Sequence, residues 1–177
     1  AAMVSVIAAP LAERGVKVGV LIGTAYLFTE EAVSSGAILD TFQQQAVGCN
    51  HTVLLESGPG HSTRCVDTPF ANVFTREKQR LLATGHSSEE VRFALEELNI
   101  GRLRIASKGV TRNPRFGDEP GAPKLIEVHQ SKQIAEGMYM IGQVAAMRDD
   151  VCTIAELHRD VSVEGTRMLL STEALRA

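Results

Sequence analysis

Apolar positions along this chain recur mostly at helical spacing, with two short strand-like runs near the start. Met3, Val6, Ile7 and Leu11 share a helical face, and Gly15 stands where it would end that helix. Pro10 lies inside the pattern and should kink or shorten it. Val16, Val18, Val20, Leu21 and Ile22 follow as a continuous, mostly β-branched run, which reads as a parallel strand buried on both faces. Gly23 and Thr24 close that run. Thr29 then reads as an N-cap, with Glu30 and Glu31 in the first turn, where carboxylates favour the positive end of the helix dipole. A helix is expected over Leu39 to Val47, stopped by Gly48, and His51 to Glu56 reads as a second strand that ends in the turn Ser57-Gly58-Pro59-Gly60.

The remainder reads as mostly helical. Phe70, Val73, Phe74 and Leu81 mark a helix over Phe70 to Leu82. Ser87 and Glu90 fit a capping box that opens onto Val91, Ala94, Leu95 and Leu98, with an end expected near Asn99 to Gly101. Arg112 to Pro123 holds three prolines and two glycines and is the clearest loop. Ile134, Met138, Ile141 and Ala145 predict one helix over Ser131 to Arg148. Thr153 and Glu156 predict another capping box and a last helix to about Leu170.

Length and charge narrow the picture. The chain has 177 residues, enough for one domain with a sizeable core. With 18 basic and 21 acidic residues its formal charge is −3, which supplies no basic field for nucleic acid or an anionic membrane surface. No apolar stretch approaches the ~20 residues that span a bilayer. Cys49, Cys65 and Cys152 are odd in number and far apart, in no C-x-x-C arrangement, so they read as isolated, buried or half-buried thiols in a reducing cytoplasm. Ala1 to Leu11 lacks the basic region of a secretory leader. His51, His86, His129 and His158 show no ligand spacing, and no metal site is expected.

Chemistry concentrates at Gly23-Thr24. A glycine after a buried strand lets backbone N–H groups approach an anion closely, and the threonine adds a hydroxyl; the same glycine could equally serve only to turn the chain. The basic residues Arg102, Arg104, Lys108 and Arg112 read either as a docking patch for an acidic carrier or nucleotide, or as a solvated helix face. Met138, Met140 and Met147 could contact a flavin or acyl chain, but methionine at helical spacing is usually core filling.

The stretch I-G-T-A-Y-L-F-T-E-E-A from Ile22, together with S-G-P-G-H-S-T-R from Ser57, resembles the last barrel strand and following segment of the nitronate monooxygenases, formerly 2-nitropropane dioxygenases, and the related FMN-dependent enoyl reductases. Gly137 to Arg148, G-M-Y-M-I-G-Q-V-A-A-M-R, resembles a later helix of that family, while Asn72 to Val128 is more similar to versions associated with bacterial polyketide and polyunsaturated fatty acid synthases. The resemblance implies an α/β fold: the carboxyl-terminal part of an aldolase-type (β/α)8 barrel over residues 1–70, followed by a mainly helical subdomain over 71–177. A complete barrel takes roughly 200–250 residues, so the chain would be a piece of a longer enzyme, with the rest of the barrel upstream and an unpaired strand edge that lowers solubility.

By the same resemblance, Gly23 and Thr24 would bind the FMN phosphate, and the segment holding His61 and Arg64 would border the active-site mouth. Arg64 then reads as a phosphate or carboxylate clamp and His61 as a donor or proton carrier; otherwise Arg64 is a salt-bridge partner and His61 a solvated loop residue. Relatives often carry Gly-Thr-Arg-Phe where this chain has Gly23-Thr24-Ala25-Tyr26. The family's catalytic histidine segment has no counterpart, which leaves the catalytic residue unknown. The implied function is part of an FMN-dependent oxidoreductase, an enoyl-thioester reductase with NAD(P)H as donor and an acyl carrier protein or acyl thioester as partner. Oxygen-dependent nitronate oxidation is the alternative within the family. Outside it stands a non-catalytic helical module for docking or homo-oligomerisation in a synthase.

Overall fold

A computed structural model describes residues 2–17, 19 and 21–167, with side chains in the first helix from residue 7 onward. That helix, α1 (Ala2–Ala12), continues past Pro10 and closes at Gly15, whose φ of +76° is the left-handed value a glycine C-cap supplies. Ile7 and Leu11 of α1 stay exposed. The buried parallel strand expected next is absent among the described residues: Val16 and Leu21 are open to solvent, while Val18 and Val20 lie outside the described residues. A parallel strand needs a neighbour to share its hydrogen bonds, and both sheets described are two-stranded and antiparallel.

From Thr24 the chain becomes well packed. A 3₁₀ turn (Thr24–Phe28) leads into α2 (Glu30–Ser34) and α3 (Asp40–Val47), the latter ending at Gly48 as the sequence predicts. Thr29 occupies the N-cap position of α2, yet its hydroxyl donates backward to the Tyr26 carbonyl at 2.8 Å instead of accepting from the helix. Its backbone N–H also bonds the Tyr26 carbonyl, so the 3₁₀ turn claims the side chain first. Glu31 likewise serves a distant element, accepting the Ile154 N–H at 2.9 Å.

Strands β1 (Thr52–Gly58) and β2 (His61–Val66) form an antiparallel hairpin with a bulge near its turn. An antiparallel pair of helices, α4 (Pro69–Ala83) and α5 (Ser88–Asn99), packs on it; α5 starts with the full Ser87–Glu90 capping box. Next come α6 (Arg102–Lys108) and the short pair β3 (Val110–Arg112) and β4 (Leu125–Glu127), which flank the proline-rich loop. After α7 (Gln130–Glu136) the chain runs extended to a second 3₁₀ turn, Gln143–Met147. Helix α8 (Ile154–Arg159) carries the expected Thr153–Glu156 box and passes into a π-helical turn, Asp160–Glu164. Its expected end at Leu170 lies outside the described residues.

The single helix expected over Ser131 to Arg148 is therefore broken at Gly137, and the break organises the fold. From Met138 to Ile141 the chain is threaded like a strand between two cores: the Met138 N–H donates to Arg102, Val66 donates to Tyr139, and the Ile141 N–H donates to Arg64, at 3.0–3.1 Å. Alternation sorts the side chains. Tyr139 and Ile141 enter the core of Phe28, Phe42, Ala46 and Val66, while Met138 enters that of Leu55, Phe70, Phe74 and Leu95. Each core draws residues from both sides of position 70. Four consecutive apolar residues, 138–141, satisfy a helical and a strand period equally, and the hydrogen bonds offered by β2 select the strand. Of the three methionines in this region only Met138 fills core; Met140 and Met147 are exposed.

Candidate functional site

Gly23 and Thr24 begin the first 3₁₀ turn, where the chain passes from the exposed segment into the core. Gly23 is exposed, with φ −118°, and a Cβ built on it would meet nothing within 4 Å, so its surface is open to a ligand. Thr24 is half-buried, and its Oγ1 accepts the Gly142 N–H at 2.8 Å. Accepting that bond leaves the hydroxyl proton free to donate, and no acceptor for it occurs among the described residues. The backbone N–H groups of Thr24 and Ala25 also have no acceptor among the described residues, as expected at the start of a helical turn.

Gly142 is the partner that sequence reasoning missed. A Cβ there would lie 2.8 Å from Thr24 Oγ1, so any larger residue would have to displace the Thr24 hydroxyl. The glycine itself was visible, but its role was not, because the two residues are 118 positions apart. Tyr26, beside this turn, is fixed by a 2.7 Å hydrogen bond between its hydroxyl and His158 Nε2, the rings meeting edge to face with centroids 5.8 Å apart.

His61 and Arg64 both lie on β2. Three residues apart on a strand, their side chains leave opposite faces and do not converge on one ligand. His61 Nδ1 lies 3.0 Å from Glu96 Oε1 on α5, a contact not aligned as a hydrogen bond. Arg64 donates from Nη1 to Thr52 Oγ1 at 3.0 Å, and its carbonyl holds Ile141, one residue before Gly142. Arg64 thus reaches the Gly23-Thr24 turn through its backbone, and His61 faces away toward α5.

The basic group resolves into separate roles. Arg102 donates to Glu136 at 2.9 Å and to the Leu98 carbonyl at 3.1 Å, with its guanidinium carbon 5.1 Å from the Phe70 ring centroid, so it is a structural clamp. Lys108 donates to the Gly36 carbonyl at 2.6 Å. Arg104 and Arg112 remain exposed.

Thiol chemistry is suppressed at two of the three cysteines. Burial pushes the Cys65 thiol up to about 12, with the Asp67 and Cys49 charges adding to it, and burial also raises Cys49, partly offset by a backbone hydrogen bond from His51. Cys152 is half-buried, within 3.6 Å of Arg148 Nη2. Among the described residues no three His, Cys, Asp or Glu side chains gather as a metal site requires, and no helix is long and apolar enough to cross a membrane.

Four surface grooves are described: between α4 and α5 (about 700 Å³), beside Cys49 and Met147 (about 370 Å³), around Cys152 and Arg148 (about 600 Å³) and under the hairpin turn at Pro59 (about 170 Å³). None is lined by Gly23 or Thr24. That turn is an open edge, able to form one wall of a site.

No family model and no curated protein matches the chain. Among solved structures it is similar to FabK from Thermotoga maritima, with a TM-score of 0.58 and 19% identity over 86% of this chain and 38% of that one. A single-substitution variant of the same FabK gives a TM-score of 0.54 and 17% identity over 86% of this chain and 36% of that one. The likeness is one of fold, and the chain spans little more than a third of the FabK chains it matches.

Proposed function

We propose that this chain is part of an FMN-dependent oxidoreductase that reduces enoyl thioesters, with Gly23 and Thr24 forming part of the phosphate-binding wall. Two independent likenesses support the reading: the motifs around Gly23, Ser57 and Gly137 resemble the nitronate monooxygenase and enoyl reductase family, and the fold is similar to FabK. The observation that carries it is the Gly23-Thr24 turn itself, open above Gly23 and with its hydroxyl oriented by Gly142.

These residues fit a phosphate. Gly23 admits close approach of an anion to the backbone, the Thr24 and Ala25 N–H groups can donate, and the Thr24 O–H can add a further hydrogen bond while its oxygen stays tied to Gly142. The chemistry FMN supplies when bound is hydride transfer between a nicotinamide donor and the enoyl carbon. This chain's contribution is positional: Gly142 holds Thr24, and the Arg64 carbonyl holds Ile141 beside Gly142, so β2 indirectly sets where the hydroxyl stands. The remaining walls and the proton donor belong to barrel strands upstream in the parent polypeptide. The synthase-like middle section favours a substrate carried on an acyl carrier protein in the cytoplasm.

The test uses the parent polypeptide. It should purify yellow and oxidise NADPH or NADH with a short enoyl thioester. Thr24→Val, which removes one charge-assisted hydrogen bond, and Gly23→Leu, whose side chain fills the anion's approach, should each weaken FMN binding by about tenfold or more. Flavin retention unchanged by both substitutions overturns the assignment. Nitronate-dependent oxygen uptake without thioester reduction would replace the reductase with the monooxygenase reaction.

A further inference from the structure

The Gly23-Thr24 turn can receive an anion only if its donors point at it, and a glycine does not fix that direction locally. Without a Cβ, Gly23 leaves the peptide joining it to Thr24 free of the side-chain clashes that hold other peptides in place. A trans peptide carries its C=O and its N–H on opposite sides of one plane, so whatever holds the Gly23 carbonyl aims the Thr24 N–H. That carbonyl accepts the Tyr26 N–H at 3.1 Å. The direction of the Thr24 donor therefore depends on where Tyr26 sits.

Tyr26 is held through its side chain. Its hydroxyl shares a hydrogen bond of 2.7 Å with His158 Nε2 on α8, and the two rings meet edge to face. Helix α8 is a firm base for that contact: the Thr153–Glu156 box fixes its first turn, the Ile154 N–H donates to Glu31, and Leu157 is buried. Just ahead of α8, Cys152 donates its N–H to the Phe28 carbonyl and accepts the Glu30 N–H on its own carbonyl, both at 3.0 Å. Those ties secure the chain from Phe28 onward. Among the described residues, two hydrogen bonds from the carboxyl-terminal segment reach the turn ahead of Phe28: the Gly142 N–H at the Thr24 hydroxyl, and His158 at the Tyr26 hydroxyl. The first orients the hydroxyl donor of the turn and the second its amide donor.

We propose that His158 is a positioning residue for the Gly23-Thr24 turn: through Tyr26 and the Gly23 carbonyl it aims the Thr24 N–H at the phosphate of the bound flavin. The proposal rests on the flavin reading of that turn and deepens it, adding to the site a residue 132 positions beyond Tyr26. A phenol both donates and accepts, so the bond holds with His158 neutral or charged. A glutamine amide, which also offers a donor and an acceptor, can take the place of the imidazole nitrogen.

Flavin titration of the parent polypeptide, followed by FMN fluorescence, tests the role. Tyr26→Phe and His158→Ala should each weaken FMN binding about three- to tenfold, the range that one hydrogen bond spans. The double variant should bind no more weakly than either single one, because both break the same link. His158→Gln should stay within about twofold of the parent, a rescue that mere packing of the imidazole would not give. Tyr26→Phe keeps the ring and removes one oxygen, so it serves as the second probe should His158→Ala unsettle α8. Thr24→Val distinguishes the role of His158 from the flavin site itself: if it weakens FMN binding while Tyr26→Phe and His158→Ala leave binding unchanged, the flavin reading stands and the role of His158 is overturned. Losses that add in the double variant, or that His158→Gln shares in full, overturn it as well. A parent polypeptide that binds no FMN overturns the flavin reading and the role of His158 with it.

Discussion

Gly137→Ala is the substitution that most directly tests how the fold is held. Gly137 ends α7 at φ −74° and ψ 139° and turns the chain into the extended segment between the two cores. A Cβ there would stand 2.5 Å from the Gln133 carbonyl oxygen, 2.9 Å from Tyr139 Cε2 and 3.1 Å from the Ala106 Cα. Two of these three atoms are backbone and cannot rotate away. The Gln133 oxygen also accepts both the Gly137 N–H at 2.9 Å and the Tyr139 hydroxyl at 3.0 Å, so moving it disturbs two buried hydrogen bonds. Overpacking costs about 1–3 kcal/mol and each disturbed bond about 1 kcal/mol, against roughly 0.4–1 kcal/mol gained because alanine restricts the unfolded chain. The net loss is about 3 kcal/mol, which for a chain of this size lowers the melting temperature by roughly 6–12 °C. Thermal unfolding followed by circular dichroism measures it. Gly23→Ala is the control, because its Cβ meets nothing within 4 Å, and its midpoint should stay close to that of the parent. Equal midpoints for the Gly137 variant and the control would refute the claim that the break at Gly137 is sterically enforced.

Two further outcomes follow from the titration behaviour of this chain. Hydrogen bonds from the Ser87 and Thr153 caps hold the Glu90 and Glu156 carboxyls below their ordinary value of 4.5. A lowered folded value means stability present above the unfolded value and lost as pH falls through the folded one, so the urea midpoint should drop on acidification below about 4.5, and less steeply in the Glu90→Gln, Glu156→Gln double variant. With Cys65 raised to about 12 and Cys49 also raised by burial, iodoacetamide at pH 8 should label Cys152 first in the folded chain and all three cysteines in urea. Mass spectrometry reads this, and early labelling of Cys65 would contradict its burial.

Where local chemistry decided the structure, the sequence was enough. The boxes at Ser87–Glu90 and Thr153–Glu156 join groups three residues apart, and their geometry follows once a helix starts there. Helix α3 stops at Gly48 for a similarly short-range reason. Gly23 and Thr24 could be marked as a turn, because a glycine after an apolar run breaks it for local reasons.

Tertiary structure decided everything that depended on a distant partner. The run from Val16 to Ile22 has strand composition, but composition supplies no neighbouring strand, and Val16 and Leu21 stay exposed for lack of one. Residues 138–141 fit two periods, and the groups offered by Arg64, Val66 and Arg102 selected one of them. Arg102 reads as a surface charge until Phe70 and Glu136 enclose it, and Gly142 meets the Thr24 hydroxyl only because the fold joins positions 118 residues apart. A residue's intrinsic preference is a property of its nearest neighbours in sequence. Its burial and its hydrogen-bond partners are fixed only when chain segments far apart in sequence compete for the same space.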